Sequence, residues 1–116
     1  MGYEYTIHLI RPVPDWPQPT AALIRSLPSW VPAQAFGNHT PAAQEYWLLG
    51  QEARGQPGRW CYDVLLQLQT PAQMSLLINA LPDSIRRDLH TLFTALHQRF
   101  GIRVLDEDGE AFSLWP

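Results

Sequence analysis

Four groups of residues carry side chains able to do chemistry. The first is Cys61 with Asp63 in one apolar segment and His8 in another. A thiolate nucleophile needs an imidazole within hydrogen-bond reach and surroundings that lower the thiol pKa. No flanking motif marks this trio, so three outward side chains on a sheet are the simpler reading. His90 and His97 form the second group, seven residues apart on one helix face. Paired histidines on a helix chelate a metal at i, i+4, with a glutamate between them in H-E-x-x-H. Here the gap is wider and the glutamate is missing, so both read as edges of an apolar stripe.

The third group is acidic. Asp106, Glu107, Asp108 and Glu110 place four carboxylates within five residues. Oxygen ligands suit calcium, but the closing Glu of a twelve-residue loop is absent. The stretch reads instead as a solvated acidic knob suited to a basic partner. The fourth group is the five tryptophans. Trp47 and Trp60 fall in strand-like segments and read as core, and Trp115 is next to the end of the sequence. Trp16 and Trp30 lie in Pro-rich loops, and Trp is among the residues that most often anchor interfaces. The candidate partner-binding residues are therefore Asp106, Glu107, Asp108, Glu110, Trp16 and Trp30. With no Gly-rich phosphate loop and no nucleophile elbow, no catalytic residue, cofactor or metal is expected.

Composition narrows the classes further. The 116 residues are expected to form one domain, 1–116, and at 46% hydrophobic they can bury a core. All eight cations are Arg, and the net charge is −3. Four of the eleven acids lie in the last eleven residues, which leaves seven acids against eight Arg, a balance of +1, before them. Only Arg86 and Arg87 are adjacent, too little to displace phosphate counterions, so no nucleic-acid partner is expected. The lone Cys61 forms no intramolecular disulfide, and no apolar run approaches membrane-spanning length. No membrane is expected, and a cytoplasmic location is. The myristoylation-like Met1–Thr6 and the sequon Asn38-His39-Thr40 read as coincidences.

The elements that must position these groups follow from periodicity. Residues 3–10 alternate as a half-buried strand. A helix is expected over 19–27, then a long loop to 44 held by Trp30 and Phe36. Segment 45–51 fits a helix or a strand; a strand is favoured because 60–69, the clearest alternation in the chain, needs a partner. Residues 53–58 would turn that hairpin. Thr70-Pro71-Ala72-Gln73 has the chemistry of a helix start, predicting a helix to Leu81. A second helix begins at Pro82-Asp83, with Ile85, Leu89, Leu92, Phe93, Leu96 and Phe100 on one face and Gly101 as its cap. Strands 102–107 and 110–115 flank Asp108-Gly109, a type I′ turn signal.

The expected fold is α+β: a single, mostly antiparallel sheet with helices packed on one face. Its order would be a ferredoxin-like β-α-β-β-α-β plus a C-terminal hairpin strand. Strand 3–10 would lie beside 60–69, gathering His8, Cys61 and Asp63 on the open face.

A short chain, acidic at one end and without catalytic motifs, is similar in type to bacterial immunity proteins that neutralise a cognate toxin. No family motif is matched, and no residue roles carry over. The expectation is a non-enzymatic protein that occludes a protein partner, a toxin or effector with a basic cleft. Two other classes stay open. One is a dimeric ferredoxin-like domain binding a small molecule or acting as an enzyme, with a pocket at His8, Trp60 and Tyr62. The other is a homodimeric chaperone for a secreted effector.

Overall fold

A computed structural model describes residues 3–35, 38, 40–54, 61–69 and 71–112. Trp60, Thr70, Trp115, the 55–58 turn and the strand beyond Phe112 lie outside the described residues. Six strands form one open antiparallel sheet: β1 (Tyr3–Leu9), β2 (Trp30–Val31), β3 (Glu45–Leu48), β4 (Val64–Gln69), β5 (Gln73–Ile78) and β6 (Ile102–Asp106). Two helices, α1 (Pro17–Arg25) and α2 (Asp83–Phe100), pack on one face, giving the expected α+β class.

Alternation decides what each strand buries. Ile7 and Leu9 of β1, Val64, Leu66 and Leu68 of β4, and Met74, Leu76 and Ile78 of β5 all face the helices. Ile102 and Val104 of β6 join them. The six expected apolar residues of α2, from Ile85 to Phe100, are all buried against this surface. Each such side chain contributes about 1.5–3 kcal/mol by leaving water. Gly101 ends α2 with φ at 68°, on the side where glycine is favoured, and ψ at 131° leads directly into β6.

Three local expectations are corrected. The helix expected over 70–81 is instead the end of the β4–β5 hairpin, with Gln69 paired to Gln73, followed by strand β5. Met74, Leu77, Ile78 and Leu81 would make a helical stripe, so the segment satisfies both periods. Its neighbours decide: β1 pairs with one edge of β5 and β4 with the other. Pro71 and Ala72 then serve as acceptors, Pro71 for the Trp16 indole N–H at 2.8 Å and Ala72 for the Leu9 amide at 2.9 Å. Second, α1 starts at Pro17, not residue 19, because proline at the first helical position has φ already set. Third, Asp108 has no positive φ, so Asp-Gly does not make the two-residue type I′ turn. Only Gly109 does, at 83°, in a wider turn closed by Asp106 N–H to the Glu110 carbonyl at 2.7 Å.

The strand order is β2-β3-β4-β5-β1-β6. The expected neighbours, 3–10 and 60–69, are thus parallel to each other with β5 between them, so the ferredoxin-like order is not confirmed in detail: β5 holds the place beside β1 that the sequence assigned to 60–69. The favoured strand at 45–51 is present as β3 and pairs with β4. Period-2 burial in β5 makes a sharp expectation. Leu76→Ala removes a side chain facing α2 and should lower the unfolding free energy by about 2–5 kcal/mol. Leu77→Ala, half-buried on the other face, should cost less than about 1 kcal/mol. Equal losses in urea unfolding would contradict the register.

Candidate functional site

Pairing of β1 with β6 builds an acidic end on the sheet. Tyr5 is registered with Asp106, so Tyr3 and Glu4 lie beside the turn that carries Glu107 and Asp108. A cleft of about 390 Å³ is lined by Tyr3, Glu4, Tyr5, Asp106, Glu107 and Asp108. The turn is held from within: Asp106 Oδ1 accepts the Asp108 and Glu110 amides at 2.9 and 2.8 Å. Glu107 Oε1 accepts the Glu4 amide at 3.1 Å, tying the turn to β1. Beneath it, Tyr5 packs edge-on against Phe112 at 4.7 Å, and Phe112 meets Phe93 of α2 at 6.1 Å.

Among the described residues lining this end, every formal charge is negative. Glu4, Glu107, Asp108 and Glu110 are exposed, Asp106 is half-buried, and Tyr3 is 69% exposed. The Tyr5 phenol is pushed up by burial first, then by Asp106, Tyr3 and Glu107. Four of the sequence-derived site residues therefore stand together, and Glu4, Tyr3 and Tyr5 join them.

The two tryptophans do not. Trp16 is 1% exposed, its indole roofed by the β4–β5 turn, and offers no surface to a partner. Trp30 is half-buried at the outer edge of the sheet, paired with Leu48 and packed against the core. Trp47 is buried as expected, but on the face opposite the helices, where its ring lies 5.1 Å from Tyr62 and its N–H donates to Glu45 Oε2 at 2.6 Å. His8, Cys61 and Asp63 are not gathered either. His8 aligns with Gln73 and Gln69, six positions from Asp63, about 20 Å along the strand. Cys61 is exposed beside Val31 and Trp47, and Asp63 turns inward. His97 Nδ1 accepts the Ile102 amide at 3.2 Å, which helps turn α2 into β6. Among the described residues no group of three His, Cys, Asp or Glu side chains could hold a metal.

Sequence reasoning missed a second polar centre, where α2 begins. Gly50 N–H donates to the buried Asp63 Oδ2 at 2.9 Å. Glu52 reaches α2, whose N-cap is Pro82 and has no capping side chain, and accepts both the Ser84 amide at 3.1 Å and the Ser84 hydroxyl. A turn thus caps a distant helix, satisfying an amide that the helix itself leaves open. One turn further, Asp88 Oδ2 accepts the Ser29 amide at 2.9 Å. The sequence did hold a signal: Asp88 interrupts the apolar face at the third position after Ile85.

The Glu52 carboxyl is held below its ordinary 4.5, chiefly by the Ser84 hydroxyl. A carboxyl lowered on folding stabilises the fold above its unfolded pKa and loses that contribution as pH falls through the folded value. Urea unfolding from pH 7 to 3 should therefore show a smaller acid loss for Glu52→Gln; an unchanged profile would contradict the cap. Gly50→Ala should destabilise by about 1–3 kcal/mol. Its Cβ would come within 2.8 Å of Ser84 Oγ and 2.9 Å of Pro82 Cγ.

Comparison with protein-family models, with curated proteins and with solved structures finds no match.

Proposed function

We propose that this chain is a small, non-enzymatic binding protein that occludes a basic surface of a protein partner. The observation that carries the reading is the acidic end. Glu4, Asp106, Glu107 and Asp108 line one cleft from β1 and the turn after β6, beside exposed Tyr3, and Glu110 follows in the same turn. A fixed array of like charge speeds encounter with a complementary surface and rejects anionic ones, phosphate backbones included. Tyrosine beside carboxylates supplies the apolar contact that charge alone lacks, and Tyr is enriched at interface centres.

Within that class, the type that fits is a bacterial immunity protein acting in the cytoplasm on a cognate toxin or effector with a basic cleft. In support, no helix among the described residues is long and apolar enough to cross a membrane. The small-molecule reading built on His8, Trp60 and Tyr62 has less support, because His8 and Tyr62 stand near opposite ends of β4.

The test spares Asp106 and Glu107, whose carboxylates hold the turn. Glu4→Arg, Asp108→Arg and Glu110→Arg together should leave the circular dichroism and melting temperature near those of the parent. Pull-downs from the native host, and from co-expression with neighbouring reading frames, should recover a basic protein with the parent at low salt. The triple variant should lose it, by about tenfold or more in affinity. Undiminished capture by the folded variant would contradict the proposal.

A further inference from the structure

Buried polar side chains are concentrated at one place in this fold. Five are buried among the described residues: Thr20, Ser29, Asp63, Ser84 and Asp88. Thr20 donates to the carbonyl of Trp16, the residue before α1. The other four surround the start of α2. Burying polar groups is unfavourable unless they are hydrogen-bonded, and a carboxylate more so unless it meets a cation. Ser84 meets that requirement through Glu52 and the Gln51 amide.

Ser29 and Asp88 do not. Ser29 is 1% exposed, yet its Oγ has no hydrogen-bond partner among the described residues. Asp88 is 8% exposed and its Oδ2 is occupied by the Ser29 amide, with no cation paired to the carboxylate among the described residues. Both line a cleft of about 540 Å³ between the corner after α1 and the first turns of α2. Ser26, Gln51, Ser84, Arg87 and Thr91 form the rest of its polar wall.

We infer that this cleft binds a small zwitterionic amine of amino-acid size. Its ammonium group takes Asp88 as counter-ion and draws the enclosed Ser29 hydroxyl outward as a hydrogen-bond partner, and its carboxylate meets Arg87. The volume lies within the range of small-molecule sites. The polarity follows from the residues: a buried carboxylate selects a cationic donor, and an exposed arginine on the same wall selects an anion. A simple amine would satisfy only the first, and a simple carboxylate only the second.

The experiment is a nitrogen-15 NMR titration of the intact chain with each proteinogenic amino acid in turn, and with ethylamine and propionate. At least one amino acid should move the Ser29 and Asp88 amides saturably. Ethylamine should bind about tenfold more weakly, and propionate more weakly still. Asp88→Asn keeps an oxygen for the Ser29 amide and should fold, yet lose about tenfold in affinity. Ser29→Ala should weaken binding while leaving the ligand-free melting temperature unchanged or higher, because it removes a buried hydroxyl with no partner. The inference is overturned if no amino acid gives a saturable shift, or if folded Asp88→Asn binds as tightly as the parent. A lower melting temperature for Ser29→Ala would also overturn it, since the hydroxyl would then be structural.

Discussion

Everything in this fold depends on one contact, the apolar face of α2 laid across the central strands. Ile85, Leu89, Leu92, Phe93, Leu96 and Phe100 cover Ile7, Met74 and Leu76, and α1 adds Ala21 and Ile24 at the side. Since both helices use the same face of the sheet, β4 and β5 alternate strictly, whereas β3 also buries Trp47 on the far face. That far face otherwise carries Leu65 and Leu77 beside Thr6, Gln67, Gln69, Gln73 and Ser75. A sheet with its helices on one side only can present much of its other face, its edges and its ends to other molecules.

The same contact explains where polarity accumulates. At its C-terminal end α2 turns through Gly101 into β6, and β6 carries the acidic turn to the first residues of β1. At its N-terminal end the apolar stripe gives way to Ser84 and Asp88, which still point inward and must be satisfied by whatever lies opposite. Glu52 supplies that for Ser84, and the Ser29 amide supplies one hydrogen bond to Asp88, which meets no cation among the described residues. One helix therefore positions two polar centres of different character: an exposed array of negative charge and a recessed cleft with one buried carboxylate. The first suits a large charged surface, the second a small ligand.

What was legible in the sequence is what depends on short stretches of chain. The α2 stripe repeats over its whole length, and the alternation of 64–69 admits one reading, so both were plain. The acidic turn was legible because its residues are contiguous. Residues 70–81 were not legible, because their apolar positions suit both periods and Thr-Pro imitates a helix start. Only the demand of β1 and β4 for a strand between them settles the matter, and that demand is non-local. Trp16 misled for the same reason: it looks like a loop residue until the β4–β5 turn closes over it. That Tyr3 and Glu4 join the acidic turn depends on strand register. Ser29 meets Asp88 across 59 residues, a pairing no local pattern announces.

The central claim is that the acidic end is the surface that meets a partner. Its most direct test uses an oddity of composition: these residues contain no lysine. A carbodiimide joins carboxylates to amines without a spacer, so any lysine cross-linked to this chain's acids must come from another protein. Cross-linking the chain in its native complex, followed by mass spectrometry, should place those links on Glu107, Asp108 and Glu110. Links confined to other acids, such as Asp15 or Asp83, would contradict the account.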